Sequence, residues 1–417
     1  MTGPSRHLGP PVASRMHVGL LSPAWPSSVY PNGIVSYVDC LRAELIRQGH
    51  RVTVFAVVVA DACTDPSVFR VAPSLGARIS EALARRVLGR RTSLFDFGRT
   101  IAATIASRHA VDPLDVVEME ESFGWPAHVA EDTGLPVVVK LHGPTFLTLA
   151  EEDLKTAFGA EKVRREGEAL QRQQVLTAPS RCTLTDTVAR YALHPALAEQ
   201  VVNPLSAGAD LPLWQLDRCD RDTLLFIGRF DKIKGADILL RAYAELLKDR
   251  PRLKLVFVGP DDGLRQSDGS FIHLREFVAA LANPALERGL SYRGRLDRSE
   301  IPALRTSALV TVIPSRRENQ PYTALEAMLQ GCPVVCADTS GLSEIVVDGI
   351  TGLKAQAQAP ADLAAKIKRI VDDPALGETL GRAARAYVLE HHAPATVVRQ
   401  TLDVYRRAIE MHGRHRP

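Results

Sequence analysis

Short apolar runs of strand length alternate with helix-length amphipathic stretches, and the alternation is gone through twice along the chain. In the first pass His17–Leu21 reads as a strand, Ile34, Val38, Leu41 and Leu45 share one helical face, Gly49 stops that helix, and residues 51–60 contain the next strand. Residues 115–118 and 137–140 read as central parallel strands, because a strand covered on both faces is apolar along its length. Residues 175–180 are predicted to close this sheet. A second pass restarts at Leu224, with strands predicted over 253–258, 290–293, 308–313 and 333–337. Such alternation points to an α/β protein with two doubly wound, Rossmann-like sheets. The length agrees: 417 residues exceed one core of ordinary size, and a 46% hydrophobic content can bury two. Asn203-Pro204, Gly208 and Pro212 break the periodic pattern, so the expected domains are 16–207 and 208–393. Residues 1–15 are rich in Pro, Gly and Ser without an apolar centre; they read as a disordered tail or an over-extended start, and not as a signal peptide.

A net charge of +3 gives no case for a nucleic-acid partner. No apolar run reaches the roughly 18 to 20 residues needed to span a bilayer. The six cysteines lack metal-ligand spacing; Cys332 and Cys336 flank a predicted buried strand and read as core residues, and all six read as reduced thiols of a cytoplasmic protein. His391-His392 lacks a carboxylate or thiol cluster that would make it a metal site.

The chemistry-bearing segments fall where an open parallel sheet binds ligands, at strand carboxyl ends. Glu318 lies on the loop after the strand 308–313, and Glu326 lies inside the helix that follows, with Pro321 suited to its first turn. The helix start attracts anions while the two carboxylates suit hydroxyl groups, which together suggest a polyhydroxyl compound carrying a phosphate, such as a nucleotide sugar. Upstream, the strand from Leu224 runs into Gly228-Arg229 and Lys234-Gly235 before a helix from Ala236. Arg229 suits bidentate contact with phosphate oxygens and Lys234 adds a point charge, so the pair could neutralise a diphosphate.

These segments, with Val258-Gly259, Pro314-Ser315, Gly331-Cys332-Pro333-Val334-Val335 and the run from Glu344 through Gly349 to Gly352-Leu353, resemble the retaining GT-B glycosyltransferases of the family-four type. The resemblance covers roughly Met16 to the C-terminus. It implies a GT-B fold, with two domains facing across a cleft and a last helix, about 394–417, crossing back onto the N-terminal domain. It implies a nucleotide-sugar donor, a hydroxyl acceptor, retention of configuration, and no cofactor or metal. Carried onto this sequence, it makes Arg229 and Lys234 a diphosphate clamp, Glu318 a contact to the transferred sugar and Glu326 the partner of the ribose hydroxyls. His142, after the strand 137–141, becomes a donor-sugar contact. Gly33, Gly228, Gln320, Tyr322 and Thr323 complete the donor-binding set.

The chain departs from the family in two places. Asn32 precedes Gly33 where members often have two glycines, which leaves Gly33 either a backbone approach to phosphate or an ordinary turn glycine. Asn319-Gln320-Pro321-Tyr322 stands where many members have an aromatic-glycine pair, so Gln320 either touches a sugar hydroxyl or caps the helix. Glu118, Glu120 and Glu121 are acceptor candidates or solvated loop residues. Asp261-Asp262-Gly263 reads as a polar turn or as a border of the nucleotide. Arg85, Arg86, Arg90, Arg91 and Arg99, interleaved with Val87, Leu88, Leu94, Phe95 and Phe97, form either a solvated face or a peripheral contact with an anionic membrane. Other activities for such a chain would be a nucleotide-sugar epimerase or hydrolase, or a binding paralogue without turnover.

Overall fold

The computed structural model describes residues 15–30, 32–72, 94, 96–208 and 210–414. Its first sheet contains β1 (His17–Trp25), β2 (Arg51–Val59), β3 (Val68–Arg70), β4 (Val116–Glu120), β5 (Val137–Lys140), β6 (Val175–Ala178) and β7 (Leu197–Gln200). All pair in parallel in the order β3-β2-β1-β4-β5-β6-β7. The sheet therefore does not end at residues 175–180: β7 lies outside β6. Its sequence, Leu-Ala-Glu-Gln, has no apolar run because an edge strand is only partly covered.

The second sheet contains β8 (Asp220–Ile227), β9 (Lys254–Val258), β12 (Leu290–Tyr292), β13 (Ala308–Ile313), β14 (Val334–Ala337) and β15 (Leu353–Ala355). It runs β12-β9-β8-β13-β14-β15, also parallel. An antiparallel hairpin, β10 (Leu264–Arg265) with β11 (Phe271–Ile272), projects between β9 and β12. The central strands β4, β5, β6, β13 and β14 are buried at every position, which accounts for their continuous apolar character. Two acidic positions and one lysine within β4 and β5, and one threonine in each of β6 and β13, are the exceptions. In each sheet the strand order reverses once, between β1 and β4 and between β8 and β13, and the carboxyl ends at both reversals line one cleft.

Helix α1 (Gly33–Arg47) begins at this cleft, with the Asn32 side chain accepting a hydrogen bond from the Ile34 amide at 2.8 Å. Helices α2 (Ala236–Asp249) and α3 (Tyr322–Leu329) follow β8 and β13. The last helix, α4 (Pro394–Arg414), packs on the N-terminal sheet: Val397, Val398, Leu402, Val404, Tyr405 and Ala408 join the core formed by Val38, Leu41 and Leu45 of α1. The chain crosses back at His392, which is buried, lies with Nδ1 2.8 Å from the Asn203 carbonyl and accepts the Leu205 amide at 2.9 Å. Trp214 holds the other end of the connection to the C-terminal core through its indole N–H and the Ala308 carbonyl, 2.8 Å apart.

Leu402 is 3% exposed in the joint α1–α4 core. Leu402→Ala should lower stability by about 3 kcal/mol, checked by urea unfolding of the full chain. An unchanged midpoint would mean that α4 does not bear on this core.

Candidate active site

Two adjoining cavities of about 610 and 590 Å³ occupy the cleft and share Asn32, Gly33, Arg229, Tyr322 and Thr323 in their walls. The first is bounded by His142, Lys234 and Glu318, the second by Glu326, Arg305 and the turn Val258–Pro260.

The β8 turn owes its shape to close backbone approaches. Gly235 has φ +69°, and a side chain there would place its first carbon 2.1 Å from the Pro314 carbonyl oxygen. Only glycine lets this turn sit against the end of β13. Lys234 is thereby brought to Glu318: their charged groups lie 2.7 Å apart, and Ser315 donates to the same Glu318 oxygen at 2.8 Å. Arg229 is half-exposed, 2.7 Å from Asp231 and 3.8 Å from Asp262. Asp262 thus borders the Arg229 turn, while Asp261 caps the helix after β11 through the Leu274 amide at 2.9 Å. Gly228 lines the second cavity, and a side chain on the facing Gly259 would strike the Gly228 carbonyl at 2.0 Å. Gly33 is exposed to both cavities, and a first side-chain carbon there would meet nothing nearer than the Tyr322 ring at 3.8 Å. No internal contact demands glycine at that position.

His142 is fixed from three sides. Its amide donates to Glu121 at 2.9 Å, its carbonyl accepts the Asn319 side chain at 2.7 Å, and its ring meets Tyr37 edge-on with centroids 4.7 Å apart. Burial, with a smaller contribution from the neighbouring Lys140 ammonium, lowers its pKa well below the ordinary histidine value. Such an imidazole is neutral and can exchange hydrogen bonds with hydroxyl groups without carrying charge.

The three glutamates read as acceptor candidates or solvated residues are all buried. Glu118 accepts the Tyr37 hydroxyl at 2.8 Å within the core. Glu121 accepts the amides of His142 and Gly143 at 2.9 and 2.8 Å, and burial with the nearby Glu166 pushes its pKa to about 8. Glu120 takes the Ser122 hydroxyl at 2.7 Å. Glu121 shapes the His142 loop and, with Glu120, lines the first cavity, while Glu118 belongs to the core.

The Asn319-Gln320 departure joins the two halves. The Asn319 amide donates to the carbonyls of Leu141 and His142 at 2.9 and 2.7 Å, and its oxygen accepts the Ser180 and Thr183 hydroxyls. Gln320 accepts the Asn203 amide at 2.6 Å and donates to the Pro179 carbonyl at 2.9 Å. Its side chain is therefore a cross-cleft strut; it does not cap α3. Tyr322 donates to the Pro204 carbonyl at 3.2 Å, and Thr323 lines both cavities. Glu344 adds a further crossing, accepting the Arg181 and Cys182 amides at 2.8 and 2.7 Å at the start of the helix Arg181–Tyr191.

Sequence reading missed Arg305, which is buried and bonded to Glu326. It also missed Glu344 as an interdomain contact. Neither has a local signature, since the partners lie 21 and more than 140 residues away. Among the described residues no three His, Cys, Asp or Glu side chains are grouped as metal ligands, and no helix is long and apolar enough to cross a membrane. Most of the basic segment read as a membrane contact, including Arg85, Arg86, Arg90, Arg91 and Phe95, lies outside the described residues.

Residues 216–387 match the family described as glycosyl transferases group 1. A D-inositol 3-phosphate glycosyltransferase of Nocardioides sp. is 30% identical over 340 residues, covering 74% of this chain and 71% of that protein. One of the same name from Kineococcus radiotolerans is 29% identical over 426 residues, covering 93% of each. Among solved structures, a sucrose-phosphate synthase from Thermosynechococcus elongatus superposes with TM-score 0.73 at 21% identity, over 95% of this chain and all of that one. Anabaena Alr3699/HepE, in complex with UDP-glucose, superposes with TM-score 0.66 at 18% identity, over 94% and 100%. The fold is thus the two-domain GT-B arrangement of parallel Rossmann-like sheets.

With its pKa lowered in the folded state, His142 takes up a proton on unfolding at pH values below the unfolded value of about 6.5. Its contribution to stability is present above that pH and is lost progressively as pH falls from there through the lower folded value. In histidine-labelled NMR spectra the His142 ring should remain neutral at pH 6.5, with assignment by His142→Asn. A ring half-protonated there would contradict the lowered pKa.

Proposed function

The chain belongs to the group 1 glycosyltransferases, and from that premise we propose that it is a retaining hexosyltransferase carrying sugar from a nucleoside diphosphate to a hydroxyl acceptor. The observation that carries this reading is the two-part cleft, with Lys234, Glu318 and His142 around one part and Glu326 in the other. A nucleotide sugar laid along it would put its ribose at Glu326, its diphosphate at Arg229 and Lys234, and its sugar between Glu318 and His142. Breaking the anomeric C–O bond leaves charge on the departing diphosphate, and fixed cations stabilise that charge without reorganising. Lys234 would exchange its contact with Glu318 for phosphate oxygen, leaving the Glu318 carboxylate to receive a sugar hydroxyl. In this reading the leaving phosphate helps remove the acceptor proton on the same face of the sugar, and the two protein cations balance its charge without a divalent metal.

UDP-glucose, held by the Anabaena structure, and D-inositol 3-phosphate, named for the curated relatives, are the first donor and acceptor to assay. Localisation in the cytoplasm, with the basic stretch around Arg85–Arg99 resting on anionic lipid, is part of the same proposal. Co-sedimentation with anionic vesicles that weakens when these arginines become glutamines supports the lipid contact, and none at all removes it.

The test is a panel of nucleotide sugars incubated with and without acceptors, product configuration being read by NMR. Lys234→Ala and Arg229→Ala should each lower kcat by about a hundredfold while the fold persists. Wild-type turnover in either variant contradicts the clamp. After chelation and dialysis the wild type should retain activity, whereas activity that vanishes and returns with Mg²⁺ contradicts charge balance by the protein alone.

A further inference from the structure

The second part of the cleft contains a charge arrangement that the reading above does not use. Glu326 stands on α3 between two arginines. Arg298 is half-exposed, with one guanidinium nitrogen 3.6 Å from Glu326 Oε1 and another donating to Ser36 on α1 at 3.0 Å. Arg305 differs: only 4% of its side chain is exposed, and it donates to Glu326 Oε2. Its other terminal nitrogen reaches Gln330 Oε1 at 3.4 Å, and Gln330 is itself anchored by the carbonyls of Pro212 and Pro302 at 3.0 and 2.9 Å. Arg305 Nε has no hydrogen-bond partner among the described residues.

A long charged side chain costs desolvation and rotamer entropy to bury, so a buried arginine whose Nε is unpaired is held at some expense to the fold. It imposes one carboxylate orientation on Glu326. One oxygen is turned down to the Arg305 fork, and the other is left at the cavity wall beside the exposed Arg298. A carboxylate already fixed in direction loses less entropy on accepting hydroxyl hydrogen bonds than one free to rotate.

We propose that Arg305 is a positioning residue for nucleotide recognition: it fixes the Glu326 carboxylate so that the second oxygen accepts from the ribose hydroxyls. This rests on the reading of Glu326 as the ribose partner. Arg305 touches no nucleotide atom in this account and acts only through Glu326, so its effect is confined to ligands that have those hydroxyls.

Calorimetric titration of the full chain with UDP and GDP, and with their 2′-deoxy and 3′-deoxy analogues, tests this. Wild type should bind the ribonucleotide that it prefers about tenfold more tightly than at least one deoxy analogue, and Glu326→Gln should reduce that ratio towards one. Arg305→Met should weaken the ribonucleotide by about tenfold, leave the deoxy analogue nearly unchanged, and collapse the ratio in the same way. Arg305→Lys, which keeps the charge and folds if the methionine variant does not, should restore part of it. If Glu326→Gln abolishes discrimination while both Arg305 variants retain it, the positioning role is overturned and the ribose reading stands. If wild type itself does not discriminate, the ribose reading falls and this proposal with it. Equal weakening of ribo and deoxy ligands in the Arg305 variants indicates a merely structural residue and also overturns the proposal.

Discussion

Two adjacent carboxamides, on Asn319 and Gln320, hold together the carboxyl ends of two separate sheets, and the geometry of the cleft depends on them. Their partners are four backbone groups of the N-terminal domain, at Leu141, His142, Pro179 and Asn203, with two hydroxyls besides. Gln320 is 5% exposed, so its carboxamide must be satisfied by protein groups where water does not reach. An apolar residue of the same size would strand the Asn203 N–H at a cost of about 1 to 3 kcal/mol and leave the Pro179 carbonyl only its 3.4 Å contact with the Gln200 side chain. Since Asn319 directly follows Glu318 and grips the His142 carbonyl, one short segment sets the separation of the two groups that face each other across the first cavity.

Around that clasp the charged groups are arranged by depth. Glu121 and Glu118 are spent inside the N-terminal half, on loop amides and on a core tyrosine. Lys234, Glu318, Arg229 and Glu326 remain at the cavity walls, each already paired with a protein group. Ligand binding at such a site exchanges one ion pair for another and does not expose bare charge. A leaving group whose charge grows during reaction then gains most from cations that are already in place.

Much of this was legible in the sequence because it is local. Strand, glycine turn and helix start follow one another within about 12 residues at Leu224–Gly235, and from Ala308 a strand, a proline-marked loop and a helix start at Pro321 follow in the same order, so periodicity and turn chemistry locate both loops. Edge strands were less legible: β7 is Leu-Ala-Glu-Gln, and β15 is only three residues long. The acidic residues Glu118, Glu120 and Glu121 read as acceptor candidates or a solvated loop because the first two sit inside β4 and the amides that hold Glu121 belong to residues 21 and 22 positions later. Arg305, Glu344 and the cross-cleft role of Asn319-Gln320 were illegible for the same reason. Glu344 and Asn319-Gln320 depend on partners that only the packing of one sheet against the other brings close, and Arg305 on a partner that the fold of the second domain brings to it from 21 residues away.

The central claim is an orientation: ribose at Glu326, diphosphate at Arg229 and Lys234, sugar between Glu318 and His142. A crystal structure of the full chain with its preferred nucleotide sugar tests it most directly. The account predicts ribose hydroxyls within about 3 Å of the Glu326 carboxylate, with both phosphates on the β8 turn. A donor lying the other way round, with its base beside His142 and its sugar at Glu326, would contradict it.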